Sequence, residues 1–188
     1  MLRGGLAILV QLYSVLAIIG VTGMVWRNTL GLLLPLDILT AIHHLALGIF
    51  GGLALIALSR LCEHYFESVA SLTRGFGDML GSFSVRDSLV VALVSGIGEE
   101  VFFRGFLQGW IGIWWTSGLF ALLHIGPDRR FVSWPILAFV ASVVLGALLD
   151  HTGSVLAPIV AHALVNFVNL RHIHDSHELM DSESISQS

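Results

Sequence analysis

Apolar residues run along this 188-residue chain in blocks long enough to cross a bilayer, with polar residues gathered between them. The first block, 6–25, stands behind a single Arg3 and is long enough to span roughly 30 Å of hydrocarbon. It is too long for a cleaved signal peptide and lacks a small-x-small cleavage site. After Arg27-Asn28 the chain stays apolar to Leu34, Pro35 and Asp37 mark a break, and 38–58 forms a second block closed by Arg60. His43 and His44 fall in this block as interfacial histidines or as lining of a polar cavity. From 61 to 86 the character changes: Glu63, His64, Glu67, Arg74, Asp78 and Arg86 punctuate a milder apolar pattern. Leu61, Tyr65, Val69 and Leu72 recur near helical spacing, which predicts an amphipathic helix on the membrane surface. Ser84, just ahead of Arg86-Asp87, reads as the cap of the next helix.

The third span, 87–109, carries two glutamates near its middle and glycines at 96, 98 and 105 that allow close helix approach. Trp110, Trp114 and Trp115 form an interfacial belt at the turn that follows. A short fourth segment, 112–126, ends in Phe120-Ala121-Leu122-Leu123-His124, and 126–130 (Gly-Pro-Asp-Arg-Arg) breaks the chain. The fifth span is 132–149, with Asp150 and Gly153 in the turn after it, and the sixth is 154–170, containing Pro158, His162 and Asn166. Residues 175–188 are polar, serine-rich and acidic, a composition that predicts disorder. The expected fold is an all-α membrane protein, a bundle of about six transmembrane helices plus an amphipathic surface helix. It forms one integral-membrane domain over 1–174, followed by the tail.

Composition agrees: 55% of residues are hydrophobic and only 12% charged, with mean hydropathy +0.86, against roughly 25% charged in soluble domains. All nine basic residues are arginine. Six spans with a cytoplasmic N-terminus place Arg3, Arg60, Arg74, Arg86, Arg129, Arg130 and Arg171 inside and only Arg27 outside. That is a strong positive-inside bias, with the C-terminus cytoplasmic as well. The net charge of −4 comes largely from the tail, and a basic nucleic-acid footprint is absent. The single Cys62 excludes an internal disulfide and a multi-cysteine zinc site, and reads as a small apolar residue at a helix end.

Against this background Gly98-Glu99-Glu100-Val101-Phe102-Phe103-Arg104-Gly105 stands out. A charged side chain at mid-bilayer costs about 2.5–3.5 kcal/mol on insertion scales, so such groups are rare and usually functional. On a helix Glu100 and Arg104 share a face at i, i+4 and can pair. Glu99 lies about 100° round the axis and cannot share that arginine, which leaves one carboxylate available to handle protons.

The other intramembrane polar groups converge on it by depth. At 1.5 Å per residue Glu99 and Glu100 lie about 18 Å above the inner surface and His162 about 12–15 Å, with Asn166 one turn lower. His124 closes the fourth span near the inner side. Taken singly, Glu100–Arg104 is a structural ion pair, His124 a helix-end histidine, and His162 with Asn166 interhelical hydrogen-bonding glue. Taken together they resemble a water-activating site: an unpaired acid, two imidazoles and a carboxamide able to donate to an oxyanion in a dry pocket.

Glu99-Glu100-x-x-x-Arg104, Phe120-x-x-x-His124 and His162-x-x-x-Asn166 resemble the three motifs of the CAAX-processing and bacteriocin-processing (CPBP, or Abi) intramembrane endopeptidases. The likeness covers 87–170. It implies a helical bundle with a conical cavity open to the cytoplasm and to lipid. It also implies cleavage near the C-terminus of a membrane-associated or lipid-modified substrate. In that family's terms Glu99 with His124 polarises water, His162 and Asn166 stabilise the tetrahedral oxyanion, and Glu100 with Arg104 shapes the site. Two spans before the first motif resemble bacterial members, implying a bacterial inner membrane and cleavage of sorting segments or peptide leaders over prenylated CAAX substrates. The implied partners are the lipid bilayer and a membrane-bound peptide or protein substrate.

No HExxH pattern is present, so a zinc ion would need ligands from separate helices, and Glu99, His124 and His162 are the alternative set. Direct activation by glutamate, with no cofactor, is the favoured chemistry. His172, His174 and His177 form either a surface metal cluster or a solvated tail. The rival functions are a non-catalytic scaffold or bacteriocin-immunity protein of the same fold and, behind it, a proton-coupled carrier, for which no inverted repeat is visible.

Overall fold

The protein is described here from a computed structural model covering residues 3–35, 37–81 and 84–186, with side chains placed from Gly5 to Met180 apart from the same gaps. The chain is all-α, and no strand occurs among the described residues. Its helices are α1 (Arg3–Trp26), α2 (Ile38–Tyr65), α3 (Glu67–Leu80), α4 (Val85–Glu100), a π-helical segment (Val101–Gln108), α5 (Gly109–Leu122), α6 (Trp134–Thr152) and α7 (Leu156–Ser186). Short 3-10 turns occupy Leu30–Leu32 and Arg129–Phe131.

Several helix ends are set by residues legible in the sequence. Asp37 caps α2 by accepting from the Thr40 amide at 2.9 Å, and Ser84 caps α4 by accepting from the Asp87 amide at 3.0 Å. Asp128 accepts from the Arg130 amide at 2.8 Å. The guanidinium and amide of Arg130 hold the Asp128 carboxyl below the usual carboxylate range. Gly153 ends α6 in the left-handed region, φ 65°.

Four helical stretches are long and apolar enough to cross a membrane: Gly5–Trp26, Ile38–Tyr65, Arg129–Thr152 and Leu156–Met180. The other two expected spans differ in kind. α4 and the π segment form one continuous rod over 85–108 in which Glu99, Glu100 and Arg104 are buried, while Arg86 near its start is exposed. α5 is short and kinked at Gly112, whose φ of 81° only glycine adopts freely. α7 packs against α2 and α4, with α3 and α6 along its flanks; α1 lies against α4 and the π segment, and α5 against α6. The glycines of α4 and the π segment mark the tight contacts. A Cβ on Gly98 would stand 2.6 Å from the Tyr13 carbonyl oxygen, so only glycine lets α1 come this close.

Two expectations need correction. The second helix does not stop at Leu58 but continues through Arg60 to Tyr65. The acidic tail expected to be disordered is helical as far as Ser186, leaving only 187–188 outside the described residues. Ion pairs one helical turn apart, Arg171–Asp175 at 2.9 Å and His174–Glu178 at 3.3 Å, support its continuation. The surface helix is present as α3, but its apolar residues Val69, Leu72, Phe76 and Leu80 line an internal cavity.

Candidate active site

That cavity holds about 300 Å³ and runs between α2, α3, α4, α6 and α7. Glu99, His124, His162 and Asn166 all line it, so the fold brings together the four side chains singled out as catalytic candidates. Glu100 and Arg104 lie behind them, both wholly buried.

Glu100 is the hub of the inner layer. Its Oε2 lies 3.1 Å from Arg104 Nε, as the i, i+4 spacing predicts. Its Oε1 meets His162 Nδ1 at 2.7 Å, a contact between distant helices that the sequence does not announce. A carboxylate accepts, so Nδ1 of His162 donates and Nε2 is left pointing toward the other glutamate, 3.6 Å from Glu99 Oε2. That gap is too long for a direct hydrogen bond.

Arg104 is anchored on its far side as well. Its Nη2 donates to the Ser142 carbonyl at 3.0 Å and to Ser142 Oγ at 2.9 Å, and Ser142 Oγ donates to Ser117 Oγ at 3.0 Å. The guanidinium also stands over the Phe120 ring, 5.0 Å from its centroid. The π segment aligns this whole edge with α6: one turn beyond Arg104, Gln108 donates to the Gly146 carbonyl at 2.9 Å and to Asp150 at 2.8 Å.

His124 is held differently. Its Nδ1 lies 2.7 Å from the Phe120 carbonyl oxygen, its ring stacks on Phe120 at 4.3 Å, and the Trp134 ring meets it edge-on at 5.1 Å. A carbonyl only accepts, so Nδ1 carries the proton and, in the neutral ring, Nε2 is left as an acceptor. Asn166 Nδ2 donates to Ser95 Oγ at 2.9 Å, which leaves its second N–H without a partner among the described residues.

Three supporting residues were not visible as such in the sequence: Ser95, Ser142 and Tyr13. Tyr13, on α1, lines the cavity together with Glu99. None belongs to a motif, and each acts across helices, so no local spacing could have found them. The remaining histidines lie elsewhere. His43 is exposed, and His44 is buried with Nδ1 unpartnered among the described residues. His172 Nε2 meets Glu63 Oε2 at 2.8 Å, and His177 packs against Gly77. No group of three His, Cys, Asp or Glu side chains among the described residues is disposed to hold a metal ion, so neither the Glu99–His124–His162 set nor the tail histidines form a ready-made ligand cluster.

Residues 81–168 match the family described as type II CAAX prenyl endopeptidase Rce1-like. An uncharacterised protein of Bacillus subtilis (strain 168), YpbD, is 31% identical over 100 residues, 52% of this chain and 51% of its own. The chain thus spans about half the length of the curated relative it matches. No solved structure matches it significantly. The matched stretch contains Glu99, Glu100, Arg104, His124, His162 and Asn166, and over it the chain is similar to the Rce1-like type II CAAX prenyl endopeptidase family.

Proposed function

We propose that this protein is an intramembrane endopeptidase that hydrolyses a peptide bond near the C-terminus of a membrane-associated substrate, using water activated by Glu99. One observation carries the reading: Glu99, 8% exposed, stands in a cavity wall 3.6 Å from an imidazole that a second, arginine-paired glutamate holds in place. Glu99 takes a proton from water while His124 Nε2, an acceptor by virtue of the Phe120 carbonyl on its other nitrogen, orients that water. The water oxygen attacks the scissile carbonyl. Its oxyanion is met by the Nε2–H of a protonated His162 and the second N–H of Asn166. Glu99 then returns its proton to the departing amide nitrogen, and the products are a carboxylic acid and an amine.

Glu100 and Arg104 act by position: Glu100 fixes the His162 ring, and Arg104 holds Glu100 in place. This chemistry needs no resident metal. Activity that disappears with a chelator and returns with zinc would move the site to metal chemistry. We assign the α3 side of the cavity to the cytoplasm, because Arg60, Arg74, Arg86, Arg129 and Arg130 lie toward that end.

The direct test is to map the C-termini of membrane peptides in cells expressing the wild-type protein or His162→Ala at matched levels. Shortened C-termini are expected with the wild type alone. Identical peptide sets would contradict the assignment.

A further inference from the structure

A second recess lies on the outer surface of the bundle. Ile18, Ile19, Thr22, Gly23 and Trp26 of α1 and Phe106 of the π segment line a shallow groove there. Its walls meet because α1 and the π segment run side by side in the same direction. Gly20 lies on the Phe102 backbone, and Gly23 lies on the Phe106 ring, where a Cβ would stand 2.4 Å from ring carbons. Thr22 is the one hydroxyl among the lining residues, and it donates to its own helix, to the Ile18 carbonyl at 2.8 Å. Below Trp26 the groove therefore offers an occupant apolar contact alone.

The groove ends at a cation. Arg27, one turn past Gly23, crosses to the start of α5, where its Nη2 donates to the Gly109 carbonyl at 2.8 Å. Beside it Trp110 stacks on Phe106 at 6.0 Å and meets Trp26 edge-on at 6.2 Å, so three aromatic rings frame the end of the groove next to the guanidinium. Tryptophans at such a level mark the boundary between hydrocarbon and water. Arg60, Arg74, Arg104, Arg130 and Arg171 each face a carboxylate. Arg27 makes no ion pair among the described residues. A guanidinium has five N–H donors, so one bond to a carbonyl leaves four for a ligand.

Length and charge select the occupant. Arg27 is nine residues beyond Ile18, about 13.5 Å along the axis at 1.5 Å per residue. One leaflet holds roughly 15 Å of hydrocarbon, half of the bilayer core. An apolar groove one leaflet deep, with a guanidinium fork at its interfacial end, fits an acyl chain below and a phosphate above. A headgroup with its own ammonium would set a second cation beside Arg27, so a net negative headgroup suits the site better. We propose that this groove and Arg27 bind one phospholipid with a net anionic headgroup, in the leaflet on the opposite side from α3. The site shares no residue with the cavity, and its occupancy does not depend on the endopeptidase reading.

Tryptophan fluorescence reads this site, because Trp26 and Trp110 frame it. The full chain is reconstituted in phosphatidylcholine nanodiscs containing increasing fractions of phosphatidylglycerol or phosphatidylethanolamine, each with brominated acyl chains that quench a neighbouring indole. Phosphatidylglycerol is expected to bind at least about threefold more tightly, the scale of one partly exposed charge pair. Arg27→Gln should erase the preference and Arg27→Lys should keep part of it. Thr22→Phe, which fills the groove with Arg27 in place, should remove it as well. Arg129→Gln, in the turn packed on α3, should leave it unchanged. Equal quenching of the wild type by the two lipids overturns the proposal, as does a preference that survives Arg27→Gln or Thr22→Phe. An equal loss in Arg129→Gln overturns it too, because the attraction would then be to the overall charge of the protein. So does relief of quenching by inorganic phosphate beyond that by chloride at the same ionic strength, since a free anion would then be the ligand.

Discussion

Arg104 has its charge neutralised on one side by Glu100 and its donors engaged on the other by the Ser142 carbonyl and hydroxyl. Removing it leaves a buried carboxylate without its cation, which typically costs 3–5 kcal/mol. Arg104→Ala is therefore expected to unfold about that much more easily in a denaturant titration in micelles. Ser142→Ala, which removes one of two acceptors, should cost about 1–3 kcal/mol. Equal costs would mean that the guanidinium contributes packing and not charge. The Glu100–Arg104 pairing was legible from spacing alone, because a helix fixes i, i+4 neighbours. The Glu100–His162 and Ser95–Asn166 contacts join residues 62 and 71 positions apart, and nothing local encodes such partners. Tyr13 is the extreme case: an isolated tyrosine in an apolar helix gives no signal until α1 is seen lying on Gly98.

At the scale of elements, the hydrophobic pattern predicted where helices exist better than what they do. The cap at Ser84 and the turn at Gly153 were readable, since capping chemistry is local. The π segment was not, because periodicity cannot separate a wider turn from an ordinary one over eight residues. Nor could it tell that α3 turns its apolar stripe to a cavity, since any apolar neighbour satisfies the same pattern. Tight packing of α1 on α4 makes a specific demand. Gly98→Ala places a carbon 2.6 Å from a backbone oxygen, so the two helices must separate at a cost of about 1–3 kcal/mol. Gly118→Ala is the matched control: its Cβ meets nothing within 4 Å, and within α5 it should stabilise by up to about 1 kcal/mol. Thermal unfolding of the two variants checks both signs, and a neutral Gly98→Ala would contradict the close approach.

For the whole molecule, composition gave a membrane protein and the lengths of the apolar blocks gave its helical spans, but neither gave which helices are neighbours. The arrangement places α7 against both α2 and α4, which is what brings His162 to the glutamates and Asn169 to Arg60. The proposed orientation, with the α3 side of the cavity cytoplasmic, is open to labelling. In a Cys62→Ser background, Gly31→Cys should react with an impermeant maleimide in spheroplasts, whereas Arg129→Cys should react only after the membrane is opened. The reverse pattern would put the cavity mouth on the other side of the membrane. The most direct measurement for the whole account is the cleavage rate of Glu99→Gln, a near-isosteric change at the acid proposed to activate water. Reconstituted at wild-type levels and still binding substrate, it should cleave at least about a hundredfold more slowly, the lower end of what a general base contributes. Cleavage at the wild-type rate would contradict Glu99 as the base.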